Sequence, residues 1–243
     1  MSRLKSIRAL VLRRRDFMEN DMIATLLCED GHRVEAIAKG IRNGTSKRRA
    51  HLENFNLVSA TLYQSNNNLY LQSIQAENSF HRIKESLDNI MKLHPVLEIV
   101  ERSVLENDPH PEIFDLLLRT LSWMNQEQIH PMITEITLVK LAHHLGFLPN
   151  FKACSLCHVE LSQDDARWDA EGGTLSCTPC SRFPHEALAL KYRKALAFFQ
   201  VAAHEDCQKL TLEREESAEL SRFIPQLFTA HLDRPLKSLE LKI

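Results

Sequence analysis

The chain has 243 residues, 44% hydrophobic and 26% charged, with a formal net charge of −2. That composition belongs to an ordinary globular protein with room for one large or two modest domains and a small insert. No apolar run approaches membrane-spanning length, and Arg3, Lys5, Arg8 and Arg13–Arg15 punctuate a start without signal-peptide character, so the reading is a cytoplasmic protein with no membrane partner. The net charge hides an asymmetry. Residues 1–80 carry 12 Lys/Arg against 8 Asp/Glu, whereas residues 81–243 carry 18 against 24. A basic head on an acidic body suits an anionic partner for the head.

Residues 1–80 read as β structure. Ile7–Leu12 and Met22–Cys28 are apolar runs, and Arg33–Ala38 alternates polar with apolar. Asn56–Tyr63 and Leu69–Ile74 predict a hairpin around Asn66-Asn67-Asn68, because asparagine tolerates left-handed geometry. Five short strands suit a small closed barrel. An OB-fold is the first candidate, and an SH3-like barrel shares the pattern.

Two clusters of cations stand on this head. Arg13, Arg14 and Arg15 follow the first strand. The segment from Lys39 to His51 follows the third, with Lys39, Arg42, Lys47, Arg48 and Arg49, two glycines and no acid. Cations on a loop rich in glycine and hydroxyls suit phosphate contacts, which carry no sequence information. The alternative is a solvated loop with no ligand. Tyr63, Tyr70, Phe17 and Phe55 are candidates for stacking on bases, against core filling or a cross-strand pair.

The period turns helical after residue 80. Ile83 to Val100 repeats at helical spacing, Asp108-Pro109 and His110-Pro111 break the chain, and Ile113–Leu121 marks the next helix. Pro131 opens another that stops at Gly146. Ala187–Ala203 and Glu213–His231 predict two more, with Pro225 forced to kink or interrupt the second. His143 and His144 point about 100° apart on a helix and cannot easily share an ion. Cys28, Cys207 and His204 read as packing.

Cys154-Ser-Leu-Cys157 and Cys177-Thr-Pro-Cys180 are separated by nineteen residues, the spacing of a tetrahedral metal knuckle. Four thiolates suit zinc and leave no open position, so the predicted cofactor is one structural Zn²⁺ held by Cys154, Cys157, Cys177 and Cys180. Two redox motifs would each need a thioredoxin-like setting that neither pair has. A deaminase pattern would need proline before the third cysteine, but Pro179 follows it. Between the pairs, Ala166–Asp169 and Thr174–Cys177 predict a small ribbon turning at Glu171-Gly172-Gly173, with Trp168 as a lid over the metal. The expected class is α+β multi-domain: an N-terminal five-stranded OB-fold β-barrel over 1–80, then an all-α helical domain over 81–243 with a four-cysteine zinc ribbon inserted at 150–183.

Three segments in order carry a family resemblance. Gly31-His-Arg-Val-Glu-Ala-Ile-Ala-Lys-Gly40 leads into the basic loop. Leu145-Gly-Phe-Leu-Pro-Asn-Phe-Lys-Ala-Cys154-Ser-Leu-Cys157 enters the metal module. His231-Leu-Asp-Arg-Pro-Leu-Lys-Ser-Leu-Glu-Leu241 closes the chain. Together they resemble the RecO family of bacterial recombination mediators over essentially the full length. His158 departs from it, since zinc-bearing members usually place glycine after the second cysteine. The resemblance implies binding of single- and double-stranded DNA, annealing of complementary strands and a nucleoid-associated place in the cytoplasm. It implies RecR and the acidic C-terminal tail of the single-strand DNA-binding protein as partners, with RecA loaded indirectly. It implies no catalytic residues, and carries Lys39 and Arg42 over as DNA contacts. Arg13, Arg14, Arg15, Lys47, Arg48 and Arg49 join them on charge. An apolar groove in the helical domain would take the acidic tail, with Arg193 or Lys194 as its cation. The rival reading is a zinc-stapled protein-interaction scaffold without DNA activity.

Overall fold

The computed structural model describes residues 4–43, 46–106, 108–163, 165–181, 186–207 and 209–240. Arg3, Gly44, Thr45 and Leu241, and the last two residues of the 150–183 insert, lie outside the described residues. Two compact units hold the chain, Met1–Ile129 and His130–Ile243.

The first unit is built on a closed barrel of five strands in the order β1-β2-β3-β5-β4. They are β1 (Leu4–Phe17), β2 (Asp21–Cys28), β3 (Arg33–Ala38), β4 (Leu57–Ser65) and β5 (Asn68–Asn78). Long β1 closes the ring, pairing through Leu4–Leu10 with β4 and through Ala9–Phe17 with β2. A register shift between Val11 and Arg13 lets it bend between the two partners. β3 and β5 meet in parallel at Ala36–Leu69 and Ile37–Tyr70, while the other neighbours are antiparallel. This is the expected OB-type barrel. One detail differs: Arg13, Arg14 and Arg15 do not follow the first strand but lie within it, opposite Thr25, Ala24 and Ile23. An arginine run lacks the apolar alternation that marks a strand, so the pairing with β2 had no local signal there.

Ala9, Val11, Ala24, Leu26, Ala36 and Leu62 are among the side chains that fill the interior, and the many alanines suit so narrow a barrel. Ile41 and Leu52, flanking the short helix α1 (Arg48–His51), are fully buried in the same cluster. Outside the barrel, Leu10 pairs with Leu27 and both are buried. Helices α2 (His81–Lys84), α3 (Leu87–Ser103) and α4 (Pro111–Met124) belong to this unit. α3 starts on an N-cap, Ser86 Oγ accepting from Asn89 N at 3.4 Å. Asn66 and Asn67 turn the β4–β5 hairpin with φ of 47° and 63°, the left-handed pair a two-residue turn requires.

The second unit starts with α5 (Ile133–His144), which ends as expected before Gly146 at φ 73°. A three-stranded sheet follows in the order β7-β6-β8, from β6 (Arg167–Asp169), β7 (Thr174–Ser176) and β8 (Glu186–Ala187). β8 corrects the expected helix Ala187–Ala203. The free edge of β6 takes up Glu186 and Ala187, and Leu188 N donates to Ala166 O at 3.0 Å, so α6 spans only Leu190–Val201. α7 (His204–Cys207) is a single turn. α8 (Arg214–Phe223) opens on a capping box, Glu213 N donating to the Glu216 carboxylate at 3.2 Å. Pro225 does interrupt it, and the chain goes on as a 3₁₀ turn over Ile224–Phe228 before α9 (Lys237–Glu240). Phe147 stacks on His231 with centroids 4.0 Å apart and meets Phe228 edge-on at 6.0 Å. Two of the three resembling segments thus pack on each other. No helix of the described residues is long and apolar enough to cross a membrane.

Candidate nucleic-acid interface and metal centre

The four cysteine Sγ atoms lie within 4.8 Å of one another, with Cys157 and Cys177 3.6 Å apart. A tetrahedral ion with bonds of about 2.3 Å to sulfur has edges of about 3.8 Å, so the cluster fits one metal ion. The backbone builds it from two sides. Cys154 N donates to Val159 O at 2.9 Å and His158 N returns to Cys154 O at 3.0 Å, folding the first pair into a knuckle. Ser155 N donates to Leu175 O at 2.8 Å and fixes that knuckle to β7. The second pair wraps a 3₁₀ turn over Thr178–Cys180, with Cys180 N and Ser181 N both donating to Cys177 O at 3.0 Å.

The thiols are prepared unequally. Burial works against the Cys154 thiolate, but the N–H groups of Cys157, Cys177 and Leu156 outweigh it and hold the pKa down to about 6. Hydrogen bonding to Cys177 and then Cys157 pushes Cys180 up to about 12. Four bare thiolates this close repel one another, and a bound cation relieves that repulsion. The Thr178 side chain, and then Thr178 N donating to Asp165 Oδ1 at 2.7 Å, hold that carboxyl below its usual range.

Two buried side chains tie this module to its surroundings. Trp168 is the first. It is buried, packs edge-on to Phe223 at 5.1 Å and donates from Nε1 to Gln226 Oε1 at 3.0 Å, which joins the ribbon to α8. Arg193 is the second, and no surface cation. Only 2% exposed, it donates to the carbonyls of Phe151 (3.2 Å), Leu161 (3.3 Å), Ser162 and Gln163 (3.5 Å). It joins α6 to the chain on both sides of the first cysteine pair, a role that charge alone did not signal.

On the barrel the eight chosen cations divide by their partners. Arg13 lies 3.6 Å from Glu101, Arg15 3.3 Å from Glu35 and Arg42 3.3 Å from Asp16. Arg48 donates to the carbonyl of Lys39 at 2.8 Å. Lys39 Nζ sits 4.6 Å above the ring of Tyr70. Arg14 makes no ion pair among the described residues. Lys47 and Arg49 are exposed, and neither side chain has a hydrogen-bond or ion-pair partner among the described residues. Exposed ion pairs are worth only about 0–1 kcal/mol, so phosphates can compete for the paired arginines as well.

The counter-charges stand on three elements, Asp16 on β1, Glu35 on β3 and Glu101 on α3. Burial raises the pKa of Glu101 despite Arg13 and Arg33 nearby. A second network supports α1. Asn56 donates to Ala50 O at 3.1 Å and His51 O at 2.9 Å, and Lys84 from α2 donates to Asn56 Oδ1 and to Glu53 at 3.3 Å. Burial lowers the pKa of Lys84. Of the four aromatic candidates, Tyr63 and Tyr70 come together as a stacked pair, Phe55 is buried, and Phe17 is half-buried.

Known proteins bear on this arrangement. The family described as "Recombination protein O N terminal" matches residues 1–80, and "Recombination protein O C terminal" matches residues 84–240. The DNA repair protein RecO of Syntrophobacter fumaroxidans is 27% identical over 244 residues, covering 96% of this chain and 94% of that one. That of Pelotomaculum thermopropionicum is 28% identical, covering 95% and 90%. The match to DNA repair protein RecO of Desulfitobacterium hafniense, 27% identical, takes in 71% of this chain and 63% of that protein. The two matches together cover nearly the whole chain, whose N-terminal part is a closed five-stranded barrel, and the chain belongs to the RecO family.

Proposed function

We propose that this protein is a recombinational repair mediator: it binds single- and double-stranded DNA with little sequence preference, anneals complementary strands and helps load a recombinase onto coated single strands. The observation that carries the reading is Lys47 and Arg49, exposed and without side-chain partners among the described residues, beside a helix anchored to an OB-type barrel by Arg48 and Asn56. Arg13, Arg14, Arg15, Lys39 and Arg42 extend that set, and the barrel over 1–80 is its scaffold. Cations that neutralise phosphates on two strands lower their mutual repulsion, while contacts blind to sequence let the bases search for register. No bond is made or broken, so no catalytic group is required.

The metal in this reading is one structural Zn²⁺ on Cys154, Cys157, Cys177 and Cys180. Four sulfur ligands close its shell, and the ion stabilises a ribbon with little core of its own. The partners are RecR and the acidic tail of the single-strand DNA-binding protein, with RecA downstream, in the cytoplasm at the nucleoid. A cavity of about 340 Å³ lined by Pro225, Phe228, Leu232, Asp233, Arg234 and Leu236 supports docking of the tail through its apolar walls, with one acid and one cation in the same lining.

Annealing of two complementary labelled oligonucleotides tests the reading, bare and then coated with single-strand DNA-binding protein, across a salt series. Acceleration that fades with salt and survives the coating is expected. Replacing Lys47 and Arg49 together by alanine should flatten the salt dependence of single-strand binding by about 0.7 per lost contact. If the protein neither binds nor anneals DNA at low salt, a zinc-stapled interaction scaffold is the better account.

A further inference from the structure

The β4–β5 hairpin carries an aromatic pair on the outside of the barrel. Tyr63 and Tyr70 are direct cross-strand partners, stacked with centroids 5.2 Å apart and planes 19° apart. Their chain neighbours Leu62 and Leu71 belong to the barrel core, so strand alternation turns both rings outward. Both are half-buried rather than sealed. Lys39, just past the point where Ile37 pairs with Tyr70, lays its ammonium 4.6 Å from the Tyr70 centroid. Arg48 donates to Lys39 O at 2.8 Å and to Gln72 O at 3.5 Å, which holds the start of α1 against β5 two residues beyond Tyr70. Lys47 and Arg49 flank that arginine.

Core filling does not explain two tyrosines on the outer face. Ring faces bordered by cations match the chemistry of an unpaired nucleotide: a base has a π-face to stack, and its phosphate seeks a cation. The flexible stem of Lys39 can swing its charge to a phosphate and uncover the Tyr70 ring. We propose that Tyr63 and Tyr70, with Lys39, form a base-stacking platform that discriminates single-stranded from double-stranded DNA. The inference rests on the DNA-binding reading above and adds ring contact to charge. In a duplex the base faces are already stacked, so only phosphates are offered. Lys47 and Arg49 therefore serve both forms of DNA, and the rings serve only the unpaired one. Every base has a π-face, so the platform is indifferent to sequence.

The test uses the full chain with a short oligo-dT and with a duplex of equal length, read by fluorescence anisotropy. Tyr70→Leu is expected to weaken oligo-dT binding about ten-fold and duplex binding less than about two-fold, while Tyr70→Phe, which keeps the ring, restores the oligo-dT affinity. A Tyr70→Trp variant reports on stacking directly. The two native tryptophans, Trp123 and Trp168, are buried, so the added indole is the exposed one, and oligo-dT should quench it while duplex does not. Equal losses on both DNAs, no loss on oligo-dT, or an unquenched indole would overturn the platform and leave the DNA-binding reading standing. Wild-type protein that binds neither DNA would overturn both.

Discussion

The N–H of His110 donates to the carbonyl of Gly31 at 3.2 Å and joins the β2–β3 turn to the start of α4. The contact requires a glycine for two separate reasons. Gly31 has φ of 87°, and a Cβ there would stand 2.3 Å from Pro111 N. Left-handed backbone costs a non-glycine residue about 1–2 kcal/mol, and forcing an atom into packed structure costs about 1–3 kcal/mol. Gly31→Ala should therefore lose about 2–5 kcal/mol in urea unfolding. Gly146→Ala separates the two causes. Its φ is 73°, yet nothing lies within 4 Å of the new carbon, so about 1–2 kcal/mol is expected. Equal losses at the two sites would mean that the β2–β3 turn yields to the methyl group.

Glu101 governs how much charge Arg13 presents. Its side chain is 23% exposed and 3.6 Å from the guanidinium. Burial is the largest influence on its pKa and raises it, against the pull of Arg13 and Arg33. A raised carboxyl pKa means that folding favours the protonated form. That stabilisation is full below the unfolded value and is lost as pH rises through the folded one. Glu101→Gln should stabilise the fold at neutral pH, and the gain should vanish on acidification, when the wild-type carboxyl is neutral too. It should also steepen the salt dependence of duplex binding by about 0.9, because Arg13 becomes available for a phosphate. Denaturation across pH and a salt titration read the two effects. A gain that persists to acid pH would mean that charge is not its source.

His158 stands in left-handed backbone at φ 61°, immediately after Cys157. The knuckle bends there so that His158 N can reach Cys154 O at 3.0 Å. Glycine, the residue that the family resemblance leads one to expect, takes that conformation without strain. His158→Gly should stabilise the metal-loaded module by about 1 kcal/mol, and the metal should leave it at a higher chelator concentration. His158→Val should do the reverse, since a β-branched residue tolerates positive φ least. If all three proteins release metal together, the strain is not borne at this residue.

How far the sequence is legible depends on whether a signal is local. The barrel strands are readable because Arg33–Ala38 and its neighbours alternate about a buried face, and the metal cluster because two C-x-x-C pairs fix its ligands by spacing alone. Features made by pairing distant segments are not readable. Arg13–Arg15 are strand only because β2 lies beside them. Glu186 and Ala187 sit at the head of a run that reads as helix, and are strand because β6 has a free edge. The counter-charges Glu35 and Glu101 and the Tyr63–Tyr70 stack arise from register and closure, which composition does not reveal. Nothing local marks the partners of Trp168, since Phe223 and Gln226 lie more than fifty residues on.

Arg193 is the strongest case of a residue whose charge misleads. Its two terminal nitrogens reach four carbonyls, those of Phe151, Leu161, Ser162 and Gln163, a fan that only a planar fork can span. Burial lowers its pKa, with Asp165 the opposing influence, but an arginine keeps its proton at any physiological pH. Arg193→Ala removes the donors and leaves buried carbonyls unpaired, which should cost about 2–4 kcal/mol. Arg193→Lys keeps the charge without the fork and should recover less than half of that. Both should speed metal loss to a chelator, because Phe151 and Leu161 bracket the segment that carries Cys154 and Cys157. Neither should change oligo-dT affinity in metal-loaded protein, since the cations proposed to meet DNA stand on the barrel. A selective loss of DNA binding with metal retention intact would instead make Arg193 part of a ligand site.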